Sequence, residues 1–368
     1  MNEIKQRKKS EPTLADVPRE REFTYLERLQ RARLFAESIA ADTNSPIAKR
    51  LAALDRVFIA HDAVKEAMFI ISETVDIASI KVSPKCVLLT GSEGVGKTWV
   101  VEHFLAMYPN LRSDEKTSKP VVLIRVPESA SIKDLSISLL EELGDQYPSS
   151  GTVGAMKGRI NKQAQGVGLR LLILDEFQHL VERTTKTSRV ALNAANWIKN
   201  LHSSLRIPIL MVGILRAKEV LDVDGQLRRR TTQVVMDCIA WHPGEISNPF
   251  LRVLAQIEKA FKFEAPMQLT NLTLAKRLYI ASVGNMCTLM TLIKEAYTES
   301  LIDGASKIDS IHWKHVFQKH FAASLSSTHK VNPFEVPEAN LDDVLASVAR
   351  NFQHMAHLRC PFCNIPRL

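Results

Sequence analysis

The chain has 368 residues, 45% of them hydrophobic, so it is longer than one ordinary domain and can bury a full core. Its 48 Lys and Arg residues against 40 Asp and Glu leave a net charge of +8, which permits an anionic partner such as nucleic acid but does not prove one. The chain has no apolar run of membrane-spanning length, its charged start "MNEIKQRKKSEP" lacks the apolar stretch of a signal peptide, and its five cysteines suit a reducing compartment, so we expect a cytoplasmic protein without a membrane partner.

Residues 1–45 are predicted to form an N-terminal arm and a helix. The first 20 residues are charged and carry two prolines, whereas "FTYLERLQRARLFAESIA" has apolar residues at helical spacing. A second helical stretch, residues 47–80, leads into the short apolar strand "KCVLLT".

Strands and helices alternate in the predicted α/β core, residues 46–245. Continuous apolar runs predict three further strands, "PVVLIRV", "LRLLILDE" and "IPILMVGI". Helices are predicted between them, near 132–144, 153–165 and 188–204. Strands without polar alternation are buried on both faces, which indicates a mostly parallel sheet between layers of helices.

The strand signal stops after residue 246. Four helical patterns follow and predict a small all-α lid at residues 246–325. Residues 326–368 are predicted to be a linker, a short helix and a tail that contains a C-x-x-C pair. The linker, at 326–340, suits a mobile docking arm.

A phosphate-binding loop is predicted at the end of the first strand. "GSEGVGKT" matches G-x-x-x-x-G-K-[ST] after a buried strand and at the start of a helix. Glycines let backbone N–H groups converge on phosphate oxygens, Lys97 can reach the β- and γ-phosphates, and the Thr98 hydroxyl can ligate magnesium. The alternative is a glycine-rich turn that binds nothing. The residues predicted to bind ATP are Gly91, Ser92, Glu93, Gly94, Val95, Gly96, Lys97, Thr98, Trp99 and His61, of which the lone histidine can equally be structural.

Two carboxylates, Asp175 and Glu176, follow the apolar run of "LLILDEFQHL". Parallel strands deliver them to the same sheet edge as the phosphate loop. Asp175 can hold the magnesium shell and Glu176 can polarise the attacking water, so the pair favours ATP hydrolysis over mere binding. They could instead cap the next helix or face solvent. The next strand ends in Gly213 and Ile214, without the polar side chain expected beside the γ-phosphate, so we expect slow turnover.

Three consecutive arginines, Arg228, Arg229 and Arg230, occur in "DGQLRRRTTQ". They could form an exposed basic face. Alternatively, they could reach the nucleotide of a neighbouring subunit as an arginine finger. A site completed in this way requires a head-to-tail ring or filament.

These motifs resemble one family, the AAA+ regulators of transposition in the TniB and TnsC group, with the phage protein MuB more distant. The resemblance covers about residues 23–300 and rests on "GSEGVGKT", "LLILDEFQHL", "RVALNAANWIKNL", "RIPILMVGI" and "DGQLRRR". It implies that Asp175 and Glu176 are the acidic pair and that Arg230 is the family's arginine. It also implies a P-loop AAA+ ATPase fold, and an ATP-dependent homo-oligomer on double-stranded target DNA that recruits or activates a transposase.

The chain departs from the family pattern at three places. Ile214 stands where the family often has threonine, Gln178 stands where the acidic motif usually has histidine, and the lid turn "SVGNMCTLM" carries no arginine. The first two leave ATP binding intact and put the rate and control of hydrolysis in question. The third gives no support to a phosphate sensor in the lid.

Two loops predicted at one edge of the sheet carry hydroxyl and basic residues, the usual contacts to a phosphate backbone. Each residue alone could simply be solvated; as a set they are the predicted DNA contacts. They are Ser131 and Lys133, with Ser129 nearby, and Arg183, Lys186 and Arg189.

The tail spaces His354, His357, Cys360 and Cys363 by three residues each. Zinc takes four such ligands, but a single C-x-x-C usually pairs with a second one, which this chain lacks. The four residues could bind Zn²⁺ or stay exposed and reduced. By the family resemblance the tail could dock a transposase or nuclease subunit.

Two other functions stay open beside the transposition regulator. A replication-type AAA+ initiator or helicase loader shares the fold but usually adds a DNA-binding module, and none is evident after residue 300. The other is a nucleotide-switched signalling scaffold that never contacts DNA. Ile214 fits this function, whereas the basic loops fit it less well. The client transposase, and any target-selector adaptor or guide-RNA complex, is not specified by the sequence.

Overall fold

The computed structural model describes residues 25–55, 57–80, 84–112, 117–128, 130–180, 187–244, 248–261, 266–320 and 331–355. These residues form two compact units. One spans residues 60–238, and the other combines residues before 60 with residues from 239 onward. Among the described helices, none is both long enough and apolar enough to cross a membrane.

The helices follow one another along the chain in both units. The first unit contains α3 to α9 and the second contains the others. They are α1 (Tyr25–Ala41), α2 (Pro46–Asp55), α3 (Asp62–Ser79), α4 (Lys97–Met107), α5 (Ile132–Leu143), α6 (Val153–Val167), α7 (Thr187–Leu205), α8 (Glu219–Asp222), α9 (Gly225–Arg229), α10 (Pro249–Phe261), α11 (Leu272–Ser282), α12 (Met286–Ile302), α13 (Ser310–His320) and α14 (Leu341–Met355).

A parallel five-stranded sheet forms the centre of the first unit. Its strands lie in the order β4-β5-β6-β1-β7, and a separate short hairpin joins β2 to β3. The strands are β1 (Cys86–Gly91), β2 (Leu111–Arg112), β3 (Thr117–Ser118), β4 (Val121–Arg125), β5 (Leu171–Asp175), β6 (Ile209–Gly213) and β7 (Thr231–Met236). A parallel sheet of this kind with helices is the predicted P-loop AAA+ ATPase fold, which is confirmed.

The buried strands explain why the sequence signal was strong. Every residue of β1, β5 and β6 is buried, which matches the uninterrupted apolar runs. Strand β7 was not predicted. It lies at the edge of the sheet beside β1, and only Val234 and Met236 are buried in its sequence "TTQVVM", so its apolar pattern is too short to identify it.

Helix α5 shows how local sequence sets the element boundaries. Ser131 and Asp134 form a capping box at its start, since the Ser131 hydroxyl accepts from the Asp134 backbone N–H and the Asp134 carboxylate accepts from the Ser131 backbone N–H. Gly144 ends the helix in the left-handed conformation, with φ of 86°. Its observed range, Ile132–Leu143, agrees with the predicted 132–144.

The predicted helical stretch at 47–80 is two helices, α2 and α3, and each belongs to a different unit. Residues 57–61 between them are not helical. His61 has extended backbone, with φ of −72° and ψ of 170°, and precedes the first turn of α3. Apolar spacing continues through this break because both helices bury one face, so the sequence did not reveal it.

The second unit has its own core of aromatic and aliphatic side chains, including Phe250, Tyr279 and Trp313. Residues 331–340, which were predicted to lie in a mobile linker, are part of this packing. Phe334 stacks on Trp313 with ring centroids 5.8 Å apart, and Val336 is buried. Because the segment contributes apolar side chains to a core, this part of the predicted docking arm is ordered structure.

Candidate active site

Two glycines shape the loop that follows β1. A Cβ on Gly91 would lie 2.1 Å from the Met236 carbonyl oxygen, so only glycine lets β1 and β7 run side by side at this point. Gly96 has φ of 103° and immediately precedes α4. The loop between them therefore brings the first backbone N–H groups of α4 to the end of the sheet, where they are directed at any anion bound there.

Lys97, the first residue of α4, crosses this loop. Its Nζ donates hydrogen bonds to the carbonyl oxygens of Gly91, at 2.9 Å, and Ser92, at 2.7 Å. The next two side chains, Thr98 and Trp99, are exposed. An ammonium group, a hydroxyl and several converging N–H groups are the donors that a nucleotide's phosphates require, so these residues fit ATP.

His61 contacts the same loop from the start of α3. Its side chain is 5% exposed, and one ring nitrogen hydrogen-bonds to the Val95 backbone. The other nitrogen, Nε2, has no partner among the described residues. Burial lowers the pKa of His61, against the Val95 hydrogen bond and the Asp62 charge that raise it, so the ring is neutral at pH 7.

The acidic pair lies at the carboxyl end of β5, at the same sheet edge as the loop. Asp175 is 7% exposed, and its Oδ1 accepts the Glu176 backbone N–H at 2.9 Å. Burial raises the pKa of Asp175, and the hydrogen bond from Glu176 opposes that shift. An ion that neutralises this carboxylate would recover the cost of burying it, which suits a magnesium ligand.

Glu176 is exposed and has φ of 55°, the left-handed backbone conformation that residues other than glycine seldom adopt. Gln178 holds the Glu176 side chain. Its Nε2 donates to Glu176 Oε2, and its Oε1 accepts the Ile214 backbone N–H at 3.1 Å. Sequence reasoning named Gln178 only as a departure from a family pattern and missed this bridge.

The three arginines lie at the opposite end of the strands. Asp224 begins α9 by accepting the backbone N–H groups of Gln226 and Leu227, and it pairs with Lys199 at 2.5 Å. The Arg230 carbonyl accepts the N–H of Cys86, the first residue of β1. Strand β1 has six residues, so Arg230 is about 17 Å along the strand from the phosphate loop.

All three arginine side chains, Arg228, Arg229 and Arg230, are exposed. At this separation they are remote from the loop and the acidic pair of their own chain. The structure therefore brings together two of the three predicted groups and keeps the third apart.

The predicted DNA contacts are only partly described. The Ser131 hydroxyl is engaged in the α5 capping box and also donates to Asp134 at 2.7 Å, so this serine has a structural role. Lys133, in the first turn of α5, is exposed. Arg183, Lys186 and the Arg189 side chain lie outside the described residues, as does Ser129.

The zinc prediction also falls outside the described part of the chain. His357, Cys360, Cys363 and the His354 side chain are not described. Among the residues that are, no group of three or more His, Cys, Asp or Glu side chains is placed to hold a metal ion.

Comparisons with known proteins identify the family. The family model of the bacterial TniB protein matches residues 50–240, which is more than half of the chain. A search of curated proteins found no significant match.

Several solved structures are similar to this chain. The ORC1 protein of Aeropyrum pernix, in complex with DNA, is 14% identical, with a TM-score of 0.48 over 73% of this chain and 68% of that one. CDC6P of Pyrobaculum aerophilum is 13% identical, with a TM-score of 0.48 over 78% and 85%. The Thermotoga maritima RuvB branch migration motor is 16% identical, with a TM-score of 0.43 over 84% and 93%. The match over residues 50–240 identifies the family: the chain belongs to the TniB family of bacterial proteins.

Proposed function

We propose that this TniB-family AAA+ ATPase regulates DNA transposition by assembling, with bound ATP and magnesium, on double-stranded target DNA and by recruiting and activating a transposase. The observation that carries the proposal is the separation of the active-site groups. The loop and acidic pair lie at one edge of the sheet, and the exposed arginines lie at the other.

Each residue at the first edge has a role that its position supports. Lys97 and the N–H groups of the loop bind the phosphates, and Thr98 and Asp175 hold the magnesium ion. When bound, magnesium neutralises the charge on the phosphates. Glu176 accepts the proton of the attacking water. Trp99 and His61 border the nucleotide from α4 and α3.

The second edge makes assembly part of catalysis. Arg230, with Arg228 and Arg229 beside it, is too far from its own loop to act there. A second copy, placed head to tail, brings its arginines to the nucleotide of the first. A ring or a helical filament repeats that contact, and a filament can follow DNA.

Double-stranded DNA is a suitable partner for this assembly. The chain carries a net charge of +8, and Lys133 is exposed beside the nucleotide edge of the sheet. Lys133, Ser131, Arg183, Lys186 and Arg189 are the proposed backbone contacts, of which Ser131 contributes chiefly by capping α5. Contacts of this type bind without sequence preference, as a regulator of target sites on varied DNA requires.

Turnover is proposed to be slow and regulatory. Ile214 supplies only an apolar side chain and a backbone N–H at the end of β6, and that N–H is already donated to Gln178. A slow cycle keeps the ATP-bound assembly on DNA long enough to recruit a transposase.

Fluorescence anisotropy on a labelled duplex of arbitrary sequence tests the proposal. The full chain is titrated with ATP, a non-hydrolysable analogue, ADP or no nucleotide. We expect binding only with the triphosphates, in steps larger than one subunit. Binding that ignores the nucleotide, or no binding, would favour the signalling scaffold over a DNA regulator.

A further inference from the structure

We infer that Gln178 is a positioning residue that ties the catalytic carboxylate of Glu176 to the end of strand β6. This role rests on the proposed hydrolysis of ATP and specifies how the general base is held. It gives the carboxamide two simultaneous partners, Glu176 on one side and the Ile214 backbone on the other.

The two hydrogen bonds fix which way the amide points. A carboxylate can only accept, so it must face the NH₂ group, and a backbone N–H can only donate, so it must face the oxygen. The observed contacts, Nε2 to Glu176 and Oε1 to Ile214, satisfy both requirements at once. Among uncharged side chains that reach this far, a glutamine amide is suited to join a carboxylate to an N–H group.

The strand end is shaped to admit this amide. A Cβ on Gly213 would lie 2.5 Å from Gln178 Oε1 and 3.1 Å from the Ala217 Cβ, so a larger residue would displace the bridge. Gly213 has no positive φ, so space is what requires glycine here.

The bridge accounts for the strained backbone at Glu176. A residue with φ of 55° is held by the structure around it, and here two contacts hold it. The backbone N–H is bound by Asp175 Oδ1, and the side chain is bound by Gln178. Movement of the β6 end therefore moves the amide, and with it the carboxylate that activates water.

The bridge also gives Ile214 a role despite its apolar side chain. The end of β6 contributes a backbone N–H rather than a polar side chain, and Gln178 carries that contact to the acidic pair. Gln178 and Ile214 thus act as one unit.

The test compares steady-state ATP hydrolysis with nucleotide affinity. Gln178→Leu keeps the side-chain size and removes both hydrogen bonds, and Gln178→Glu places a like charge beside Glu176. We expect kcat to fall about 10-fold to 100-fold, as misplacement of a catalytic group does, while the Kd for a fluorescent ATP analogue changes less than about two-fold. The matched control is Gln165→Leu, at an exposed glutamine of α6.

A second variant removes the hydrogen bond at the Ile214 end of the bridge. Ile214 has φ of −76°, which proline adopts, so Ile214→Pro removes the N–H donor with little change of backbone. It should reproduce the loss of kcat, and the double variant with Gln178→Leu should lose no more than either alone. If thermal unfolding shows that Ile214→Pro is not folded, Gly213→Ala replaces it, because its Cβ displaces the same amide.

The outcomes separate this role from the proposed function. A wild-type chain that hydrolyses no ATP overturns the proposed ATPase activity. An active wild type whose Gln178→Leu variant keeps its kcat, or loses affinity instead, overturns the positioning role alone. Additive losses in the double variant also overturn it, since two independent residues would then be involved.

Discussion

The five-stranded sheet has a carboxyl edge, formed by the carboxyl ends of its strands, and an amino edge, formed by their amino ends. These two edges hold their polar groups in opposite ways. At the carboxyl edge, Asp175 is buried, Glu176 has a left-handed backbone, and Lys97 and Gln178 are each bonded to two partners. At the amino edge, three arginine side chains are exposed at the end of α9, a short helix that Asp224 caps by accepting two backbone N–H groups.

The difference indicates what each edge binds: a ligand within the same chain, or the surface of another chain. Buried and strained polar groups are costly, and they persist where a ligand or a reaction uses them. Exposed guanidinium groups cost little and are available to another surface. We therefore interpret the carboxyl edge as a site organised within one chain, and the amino edge as a surface organised for a second copy.

Replacing Lys97 should have the largest effect, because it removes the only positive charge in the loop, the one that can reach the phosphates. Lys97→Ala is expected to weaken ATP binding by more than about 100-fold and to abolish ATP-dependent assembly. Isothermal calorimetry and light scattering measure the two effects, with Lys162→Ala, an exposed lysine of α6, as the control. Normal assembly by Lys97→Ala would contradict the loop assignment.

Glu176→Gln tests the carboxyl edge, because it should prevent ATP hydrolysis while leaving ATP binding intact. Loss of a general base should lower kcat by about 10³-fold. The amide keeps the size of the side chain, so ATP binding should persist and ATP-bound oligomers should accumulate. Size-exclusion chromatography with a phosphate-release assay measures both, and unchanged turnover would remove Glu176 from the water-activating role.

Arg230→Ala tests the amino edge. An arginine finger contributes at least about 10³-fold to kcat, and its loss should leave ATP binding by the same chain intact. The decisive control is a mixture. Arg230→Ala supplies an intact carboxyl edge and Glu176→Gln supplies an intact arginine, so equal amounts should recover about a quarter of the wild-type rate, the share of interfaces with one of each in the right order. Two inactive variants that stay inactive when mixed would place catalysis within one chain.

The carboxyl edge was largely predictable from sequence, and the amino edge was not. "GSEGVGKT" and "LLILDE" are contiguous motifs beside buried strands, so spacing alone located Lys97, Asp175 and Glu176. The position of the arginines depends on β7, which is half exposed and has no clear apolar pattern. Because β7 was not predicted, the sequence alone could not decide between an exposed basic face and an arginine finger.

The Gln178 bridge could not be predicted for a different reason. Its partners, Glu176 and Ile214, lie two and 36 residues away, and one of them is a backbone group. No side-chain pattern reports a backbone donor. The nearest signal was indirect: a glycine at 213, where the strand end has to admit an amide.

Lys133→Glu should have a smaller effect, since it changes one exposed charge near the carboxyl edge. We expect DNA affinity to fall severalfold at physiological salt and the slope of log K against log salt to decrease by about one. Lys162→Glu makes the same charge change on α6 and is the control. Equal effects of the two variants would mean that net charge alone matters and that DNA contacts another surface.

The smallest expected effect concerns two buried histidines, one at each edge. His61 contacts Val95 at the carboxyl edge. Near the amino edge, His202 Nε2 donates a hydrogen bond to the Pro84 carbonyl oxygen at 2.8 Å, since a carbonyl only accepts. Burial lowers the pKa of both histidines below the ordinary 6.5. The unfolded chain therefore binds more protons, and stability falls as the pH drops below about 6.5.

His61→Leu tests the contribution of the carboxyl-edge histidine to stability in this pH range. At pH 8 the variant loses only the Val95 hydrogen bond, whereas at pH 5.5 it also escapes the cost of charging a buried ring. The melting temperature of the variant relative to wild type should therefore rise by a few degrees between pH 8 and pH 5.5. His103→Leu, at an exposed histidine of α4, is the control. A difference that does not change with pH would show that His61 is accommodated equally well in its charged form, and the neutral ring proposed beside the phosphate loop would have to be abandoned.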